Sequence, residues 1–300
     1  MSSDNKKIRG LIAATTAYMC WGFMPLYWAL LKRAHDWEIV GHRILWSLLF
    51  IFIFLCIWGR FDHIRKTIKS IQQSVIQISN LFLAASLAAL NWWINIHAVN
   101  TNQVIELGIG MFLTPLMSVV FGLFFFSEKL SKIKTFSVLL PTIGVLIMIY
   151  SFGQIPWIAL GVSSSWAMYG VFKKRLGIDP WVSNMLEVAI MLPFACIYLG
   201  YLGFIGRGMF ISGGLEITGL LISVGIVTSI PMIAFASATN NLPLSILGFV
   251  QYLNPILTTC VGIFLFHEPF QETQLVPLLF IWSGIGIFIF AEILEGNIKQ

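Results

Sequence analysis

The sequence predicts an all-α membrane protein with ten transmembrane helices in two inverted five-helix repeats, and three observations predict it. First, 58% of the 300 residues are hydrophobic and only 10% are charged, whereas a soluble domain carries roughly 25% charged residues. Second, the apolar residues fall into ten long runs. Third, a segment of the first half recurs in the second half. Lipid is therefore expected to be part of the solvent around this chain.

Each apolar run has about 18–24 residues, which is enough to cross a bilayer as a helix. A helix is expected in each run because lipid offers no hydrogen-bond partner to an open backbone. The links are short, and only 59–76 and 206–214 have any length. The ten predicted spans are 8–31, 38–58, 77–99, 104–126, 133–150, 155–172, 182–205, 215–238, 244–266 and 275–294.

The basic residues orient these spans. With a cytoplasmic N-terminus, fourteen of the eighteen lysines and arginines fall on the cytoplasmic side and three on the outer side, and Arg43 lies inside the second span. Cytoplasmic loops of membrane proteins carry such an excess of Lys and Arg. We therefore expect a multi-pass protein of the cytoplasmic (inner) membrane with both termini in the cytoplasm. The clustering of charge between apolar runs also argues against nucleic acid as a partner.

The internal repeat sets the symmetry. Residues 113–130 recur as residues 253–270, at an offset of 140, and six of the eighteen positions are identical. Five spans per half is an odd number, so the second half enters the membrane from the opposite face and the repeats are inverted. The predicted domains are the two repeats, 1–152 and 153–300.

Several motifs occur in an order that is typical of one group of permeases. They are WGFMPLYW (21–28), EIVGHRILWS (38–47), NWWINIHAVN (91–100), IELGIGMFLTPL (105–116), IVTSIPMIAFASAT (226–239), LPLSILGFVQYLNP (242–255), FHEPF (266–270) and FIW (280–282). Together they resemble the RarD-type permeases of the EamA group in the drug/metabolite transporter superfamily. The resemblance implies an inner-membrane carrier with two inverted five-helix repeats, and it alone favours export. The RarD name is linked to chloramphenicol sensitivity.

Ionisable residues inside spans are candidates for a substrate pathway, because each costs about 2.5–3.5 kcal/mol to insert. Glu38 and His42 share a face of the second span, and Arg43 lies about a quarter turn away. Arg43 could bind an anionic substrate and His42 could carry a proton. Alternatively, Arg43 extends to the outer interface. Glu106 in the fourth span is the predicted partner of Arg43, either as a structural ion pair or as a gate.

Other polar residues lie deeper in the spans. Glu187 has no Lys or Arg near it in the seventh span, so it is predicted to be a lone carboxylate that either carries a coupling proton or bonds a neighbouring helix. Asn91 and Asn95 share a face of the third span and either bond another helix or line a cavity. Trp92 lies beside them and could line the same cavity. Tyr169 in the sixth span could be either an interface anchor or an aromatic that stacks on a ligand.

Two repeat-related prolines are the best sequence indication of a binding site. Proline removes a backbone donor and frees a carbonyl one turn earlier. Interrupted helices at matching positions of two repeats are typical of a midplane substrate site in transporters. Ordinary helix kinking is the alternative. The candidate residues of this tract are Pro115, Gln251, Tyr252, Asn254 and Pro255.

Two further pairs at the same offset flank the prolines. Gly108 and Gly248 are expected to permit close approach of helices. Glu128 and Glu268 are expected to be caps at the membrane boundary and not catalytic groups.

The sequence contains no motif of an ATPase, a metalloprotease or a serine hydrolase, and no cofactor, metal site or enzymatic activity is predicted. The leading hypothesis is a secondary transporter that moves a small organic metabolite or drug-like molecule by alternating access, with a proton as a candidate coupling ion. The alternatives are an intramembrane enzyme that uses Glu38 and His42 or Glu187, and a non-transporting membrane sensor. The sequence leaves the oligomeric state open.

Overall fold

The computed structural model describes residues 3–101, 103–267 and 275–298, and within these ranges the chain is helical and contains no β-strand. The described helices are α1 (Ser3–Leu30), α2 (Asp36–Ile57), α3 (Phe61–Gln72), α4 (Val75–Asn100), α5 (Val104–Phe126), α6 (Lys132–Phe152), α7 (Trp157–Leu176), α8 (Pro180–Phe204), α9 (Met209–Ser212), α10 (Gly214–Asn241), α11 (Leu244–Gln251), α12 (Leu253–Leu265) and α13 (Leu275–Ile298).

A helix lies at each of the ten predicted spans, and eight segments of the described chain are long and apolar enough to cross a membrane, with α11 and α12 counted as one. The two that fall short are α1 and α7. In α7 the basic residues of the last turn and three consecutive serines lower the apolar character. Their hydroxyls bond carbonyls of the preceding turn, as Ser163 does to the Ala159 carbonyl at 2.7 Å, so this helix satisfies its own polar groups.

The ninth predicted span is interrupted at Tyr252, between α11 and α12. The Tyr252 amide donates to the Phe249 carbonyl at 3.2 Å, a three-residue step in place of the four-residue step of an α-helix. Pro255 follows and has no amide proton to offer the carbonyl of Gln251. The predicted interruption near Pro255 is therefore present.

Pro115 differs from its repeat partner, because α5 continues through it without a break. The prediction of a second interrupted helix is wrong. One proline removes only one hydrogen bond from a helix. The Thr114 hydroxyl adds a bond to the Gly110 carbonyl at 2.6 Å, and the Ser118 hydroxyl adds one to the Thr114 carbonyl at 3.0 Å.

One compact unit comprises Met1–Ala89 and Phe172–Leu242. Within it α1 packs against α10, and α2 packs against α8 and α10. A Cβ on Gly225 would collide with the backbone of Trp46, so α10 and α2 touch directly. The buried core between α2, α3, α8 and α10 consists of Ile51, Leu55, Ile64, Val182, Met185 and Ile233.

A second compact unit comprises Leu90–Val171 and Pro243–Gln300. Within it α6 packs along α13, and α5 packs against α6 and α11. A Cβ on Gly144 would lie 2.6 Å from the Pro277 carbonyl oxygen, so α6 and α13 also approach closely. Its main buried cluster consists of Phe112, Leu116, Val145, Tyr252, Leu278 and Ile281. The helices α4 and α7 contribute residues to both units.

The helix α3 lies in a link to which the sequence assigned no structure. Ile64, Ile68 and Ile71 recur at a spacing of four and three residues, so they share one face of a helix. Ile64 and Ile71 are each 5% exposed and pack into the core of the first unit, with Ile68 beside them. This amphipathic spacing of the isoleucines is the sequence signal from which the helix could have been predicted.

Candidate functional site

A buried ion pair is the strongest charged feature of the first unit. The Lys173 Nζ, on the last turn of α7, lies 2.5 Å from the Glu187 Oε1, two turns into α8, and the two side chains are 1% and 2% exposed. The Ser183 hydroxyl also bonds the Glu187 Oε1, at 3.1 Å. Two full charges this deeply buried are stable only when paired and hydrogen-bonded. The arrangement meets that requirement.

The prediction that Glu187 is a lone carboxylate is therefore wrong. Lys173 lies on the neighbouring helix α7 and is one of the fourteen basic residues that the charge count places on the cytoplasmic side. A tight connection brings the two helices together, since Gly177 has a φ of +58°. The Asp179 carboxylate then accepts the amide of Trp181 at 2.9 Å and begins α8.

Two buried polar atoms on α8 and α10 lack a hydrogen-bond partner in the described part of the chain. The Asn184 Oδ1 on α8 and the Ser229 Oγ on α10 are buried without a hydrogen bond among the described residues. The side chains of Asn184 and Ser229 are 1% and 2% exposed. An unmet buried polar atom costs about 1–3 kcal/mol, so these two are candidates for contact with water, a proton or a substrate.

In the predicted cluster at the start of the second span, Glu38 and His42 make contacts that hold helices together. The Glu38 Oε1 accepts the amides of Met209 and Phe210 at 2.6 and 3.0 Å, while its Oε2 is buried without a partner among the described residues. The His42 ring stacks on Phe210 with centroids 4.5 Å apart. The Trp46 Nε1 donates to the His42 Nδ1 at 3.2 Å, which leaves Nε2 as the position for the imidazole proton.

Glu106 has a partner of its own. Its Oε1 accepts the amide of Ile158 at 2.6 Å, at the start of α7. This bond lies within the second unit, whereas Arg43 lies in the first unit and is partly exposed. The ion pair between Arg43 and Glu106 stays a prediction.

Asn91 joins two helices within the second unit, which is one of the two roles predicted for it. Its Nδ2 donates to the Val162 carbonyl at 2.9 Å and to the Ser165 hydroxyl at 3.0 Å, both on α7. Asn95 donates to the Asn91 carbonyl at 2.7 Å. Trp92, next in sequence, is partly exposed.

The crossing of α5 and α11 in the second unit brings together residues from the two predicted five-helix repeats. A Cβ on Gly248 would lie 2.7 Å from the Pro115 carbonyl oxygen, so only glycine fits there without a shift. The Ser118 hydroxyl and the Gln251 Oε1 are 3.2 Å apart, and both side chains are buried. This is a neutral polar contact in an apolar surrounding.

Glu128 fixes one end of this crossing. Ser127, with a φ of +51°, ends α5 and turns the chain. The Glu128 Oε1 and Oε2 then accept the amides of Leu244 and Ser245 at 2.7 and 2.9 Å, the first two residues of α11. A carboxylate there bonds the free amides and matches the positive end of the helix dipole. Glu128 thus caps α11, while its expected position at the membrane boundary stays a prediction, and Glu268 lies outside the described residues.

The remaining predicted residues lie in different surroundings. The Tyr252 ring packs in the apolar core with Phe112 and Leu278, and its hydroxyl is buried without a partner among the described residues. The Asn254 Oδ1 accepts from the Thr258 hydroxyl at 3.4 Å. The Tyr169 side chain is fully buried, with its ring centroid 5.1 Å from that of Trp166.

Sequence reasoning missed Lys173 and Ser118. Ser118 carried a usable signal, because its counterpart at the offset of 140 is Thr258, another hydroxyl. Lys173 carried none, because the apolar run of its span ends just before it.

Comparison with known proteins places this helical chain in a family. The sequence pattern of the EamA-like transporter family matches residues 8–150 and again residues 155–290. The chain belongs to the EamA-like transporter family. The two matched ranges together cover most of its length.

Two similar proteins narrow the type of transporter further. The chain is 33% identical over 286 residues to the uncharacterized transporter YojE of Bacillus subtilis (strain 168), covering 95% of each chain. It is 32% identical over 287 residues to the protein RarD of Escherichia coli (strain K12), covering 95% of this chain and 96% of the relative. A solved structure, titled only as the crystal structure of a protein, shares the fold with a TM-score of 0.67 at 13% identity, over 93% of this chain and 98% of that chain.

These relatives identify a RarD-type EamA permease. The protein is a multi-pass inner-membrane transporter of small molecules. Its partners include a small-molecule substrate and the lipid bilayer.

Proposed function

We propose that this EamA-family protein is a secondary carrier that exports a small organic metabolite or drug-like molecule by alternating access. Ten helices in two inverted five-helix repeats would cross the membrane, with both termini in the cytoplasm. The fourteen-to-three distribution of basic residues supports this orientation. The helices at all ten predicted positions support the count, and α1 and α7 would cross with the protection of neighbouring helices.

The observation that carries the proposal is an asymmetry between repeat-related glycines. Gly248 on α11 packs directly on the Pro115 carbonyl of α5. The inverted repeat predicts a reciprocal contact between Gly108 on α5 and the Pro255 carbonyl on α12. A Cβ on Gly108 instead meets no heavy atom within 4 Å in the described part of the chain. The contact at Gly248 is therefore formed, whereas the repeat-related contact at Gly108 is not formed in the described part of the chain.

Such an asymmetry is what a carrier with inverted repeats requires. Each repeat adopts in one state the conformation that the other adopts in the opposite state, so related contacts form and break in alternation. In the proposed orientation the closed contact lies nearer the cytoplasm, beside the Glu128 cap. The described conformation would then be open toward the outside. Closing the Gly108 contact and opening the Gly248 contact would expose the site to the cytoplasm.

The substrate pathway is proposed to pass the interrupted helix. Ser118 and Gln251 offer neutral hydrogen-bonding groups, and Asn254 and Pro255 lie beyond the interruption at Tyr252. Neutral groups in apolar surroundings favour a substrate with few charges, such as a hydroxyl- or amide-bearing organic molecule. The further candidates of the pathway are Glu38, His42, Arg43, Asn91, Trp92, Glu106, Pro115 and Tyr169.

The coupling ion is proposed to be a proton that binds at Glu187. Protonation of Glu187 would remove the charge that holds Lys173 and would leave a buried cation. That cost could be met only by a rearrangement of α7 and α8, which would link the proton to the conformational change. His42 is a weaker candidate, because its Nδ1 already accepts the Trp46 proton.

The experiment that tests the function is a comparison of intracellular metabolites in deletion and overexpression cells. If the protein is an exporter, the intracellular concentration of its substrate rises in deletion cells and falls in overexpression cells. The opposite pattern would indicate import. If no compound responds in opposite directions in the two strains, the proposed function fails.

A further inference from the structure

The helix α3 presents a cluster of cations on its outward face. Arg65, Lys66 and Lys69 are exposed, while Ile64 and Ile71 on the opposite face are buried in the first unit. The buried face fixes the rotation of the helix about its axis. The three cations are therefore held on one side of a docked helix and do not belong to a free loop.

In the part of the chain that the structure describes, these three cations form no ion pair with an acidic residue. Nearby basic groups do have one, since the Arg60 Nη1 and the His63 Nε2 lie 3.4 and 3.7 Å from the Asp179 Oδ2. Within the described ranges no ion pair joins Arg65, Lys66 or Lys69 to a carboxylate. The exposed Asp62, one turn earlier on the same face, offsets part of their charge, and the remaining positive charge is available to an external anion.

Apolar side chains next to α3 place this cluster at the edge of the lipid. Ile57 and Trp58, which precede α3, are 76% and 53% exposed, and Val75 and Ile76, which follow it, are 82% and 73% exposed. All four lie at the ends of the long apolar helices α2 and α4. Exposed aromatic and aliphatic residues at helix ends are typical of the membrane interface.

We propose that the basic face of α3 binds the headgroups of anionic phospholipids and anchors the first unit to the cytoplasmic leaflet. The charge complementarity and the exposed apolar residues on both sides of α3 favour a lipid over a soluble partner, because a lipid supplies an anionic headgroup and acyl chains at once. In the proposed orientation α3 faces the leaflet that carries the anionic lipids. The inference does not depend on the transport mechanism.

The test is a lipid titration of the purified full-length protein in a neutral detergent. Native mass spectrometry counts bound phosphatidylglycerol and phosphatidylcholine at low and high salt. The test variant is Arg65→Gln/Lys66→Gln/Lys69→Gln. The matched control is Lys6→Gln/Lys7→Gln/Arg9→Gln, which removes the same charge elsewhere on the predicted cytoplasmic side. Circular dichroism confirms that both variants keep their helix content.

The wild type and the control are expected to prefer phosphatidylglycerol, with a preference that weakens at high salt. The test variant is expected to lose on the order of tenfold or more of that affinity, since each cation near an anionic surface contributes about a fivefold factor. Equal binding by the test variant and the wild type would overturn the proposal, as would an equal loss in the control. Full displacement of the lipid by soluble glycerol phosphate would also overturn it, because the apolar surround would then contribute nothing.

Discussion

The ammonium of Lys173 and the carboxylate of Glu187 lie 2.5 Å apart in the first unit, with both side chains almost completely buried. Such a pair stabilises a fold only weakly relative to apolar residues of similar size, because both charges must leave water. A buried pair that a protein retains at this cost is a candidate for a functional switch.

Breaking the Lys173–Glu187 pair from one side is expected to destabilise the protein strongly. Lys173→Met leaves a buried carboxylate without its counter-charge, which costs about 3–5 kcal/mol of unfolding free energy. The double variant Lys173→Met/Glu187→Met removes both charges and is expected to recover most of that loss. Unfolding in detergent, followed by circular dichroism, measures both. A double variant no more stable than Lys173→Met would contradict the paired role.

A coupling role for Glu187 predicts an effect on the pH profile of transport. Glu187→Gln keeps the shape of the side chain and removes its ability to exchange a proton, so transport is expected to lose its dependence on pH. Because this change also leaves Lys173 buried without its counter-charge, circular dichroism first confirms that the variant keeps its helix content. The matched control is Glu216→Gln, at an exposed acid near the start of α10. Flux of the metabolite found in the cell screen is measured in proteoliposomes at several pH values. An unchanged profile in Glu187→Gln would exclude this residue as the proton site.

The cap on α11 predicts a smaller, local effect. Glu128→Ala leaves the amides of Leu244 and Ser245 without their acceptors and is expected to cost about 0.5–2 kcal/mol of unfolding free energy, the range for loss of a helix N-cap. Lys129→Ala, at the next and exposed residue, is the control and is expected to be near neutral. Hydrogen exchange of the α11 amides locates the effect. Protection that falls equally throughout the second unit would argue against a local cap.

The asymmetry of the repeat-related glycines predicts opposite shifts in conformation. Gly248→Ala forces a methyl group against the Pro115 carbonyl and is expected to disfavour the described state. Gly108→Ala meets no atom within 4 Å in this state, so it is expected to disfavour only the opposite state. Labelling of single cysteines near the two ends of α12 with an impermeant maleimide, in a variant without the four native cysteines, reports the shift. Shifts in the same direction would contradict the reciprocal contact.

The apolar runs predicted the helices well because lipid leaves the backbone no alternative to internal hydrogen bonds. The same pattern did not resolve the residues inside them. Pro115 and Pro255 are equivalent in the repeat, yet α5 continues through Pro115, whereas the helix around Pro255 is interrupted at Tyr252.

The partners of charged residues were the hardest part to predict. Glu128 was recognisable as a boundary residue, but its partners Leu244 and Ser245 lie more than a hundred residues away. Lys173 was counted as a flanking charge because it follows an apolar run, although it is 1% exposed in its ion pair. Tertiary packing decides such pairings, and hydropathy does not report it.

The central claim, a carrier that alternates between two open states, is tested most directly by counterflow. Proteoliposomes are loaded with the unlabelled metabolite found in the cell screen. The labelled compound is added outside at the same concentration, and its uptake is followed. The account predicts saturable uptake that internal substrate accelerates, and a reduced rate in both Gly108→Ala and Gly248→Ala. Uptake that does not saturate, or that internal substrate leaves unchanged, would contradict it.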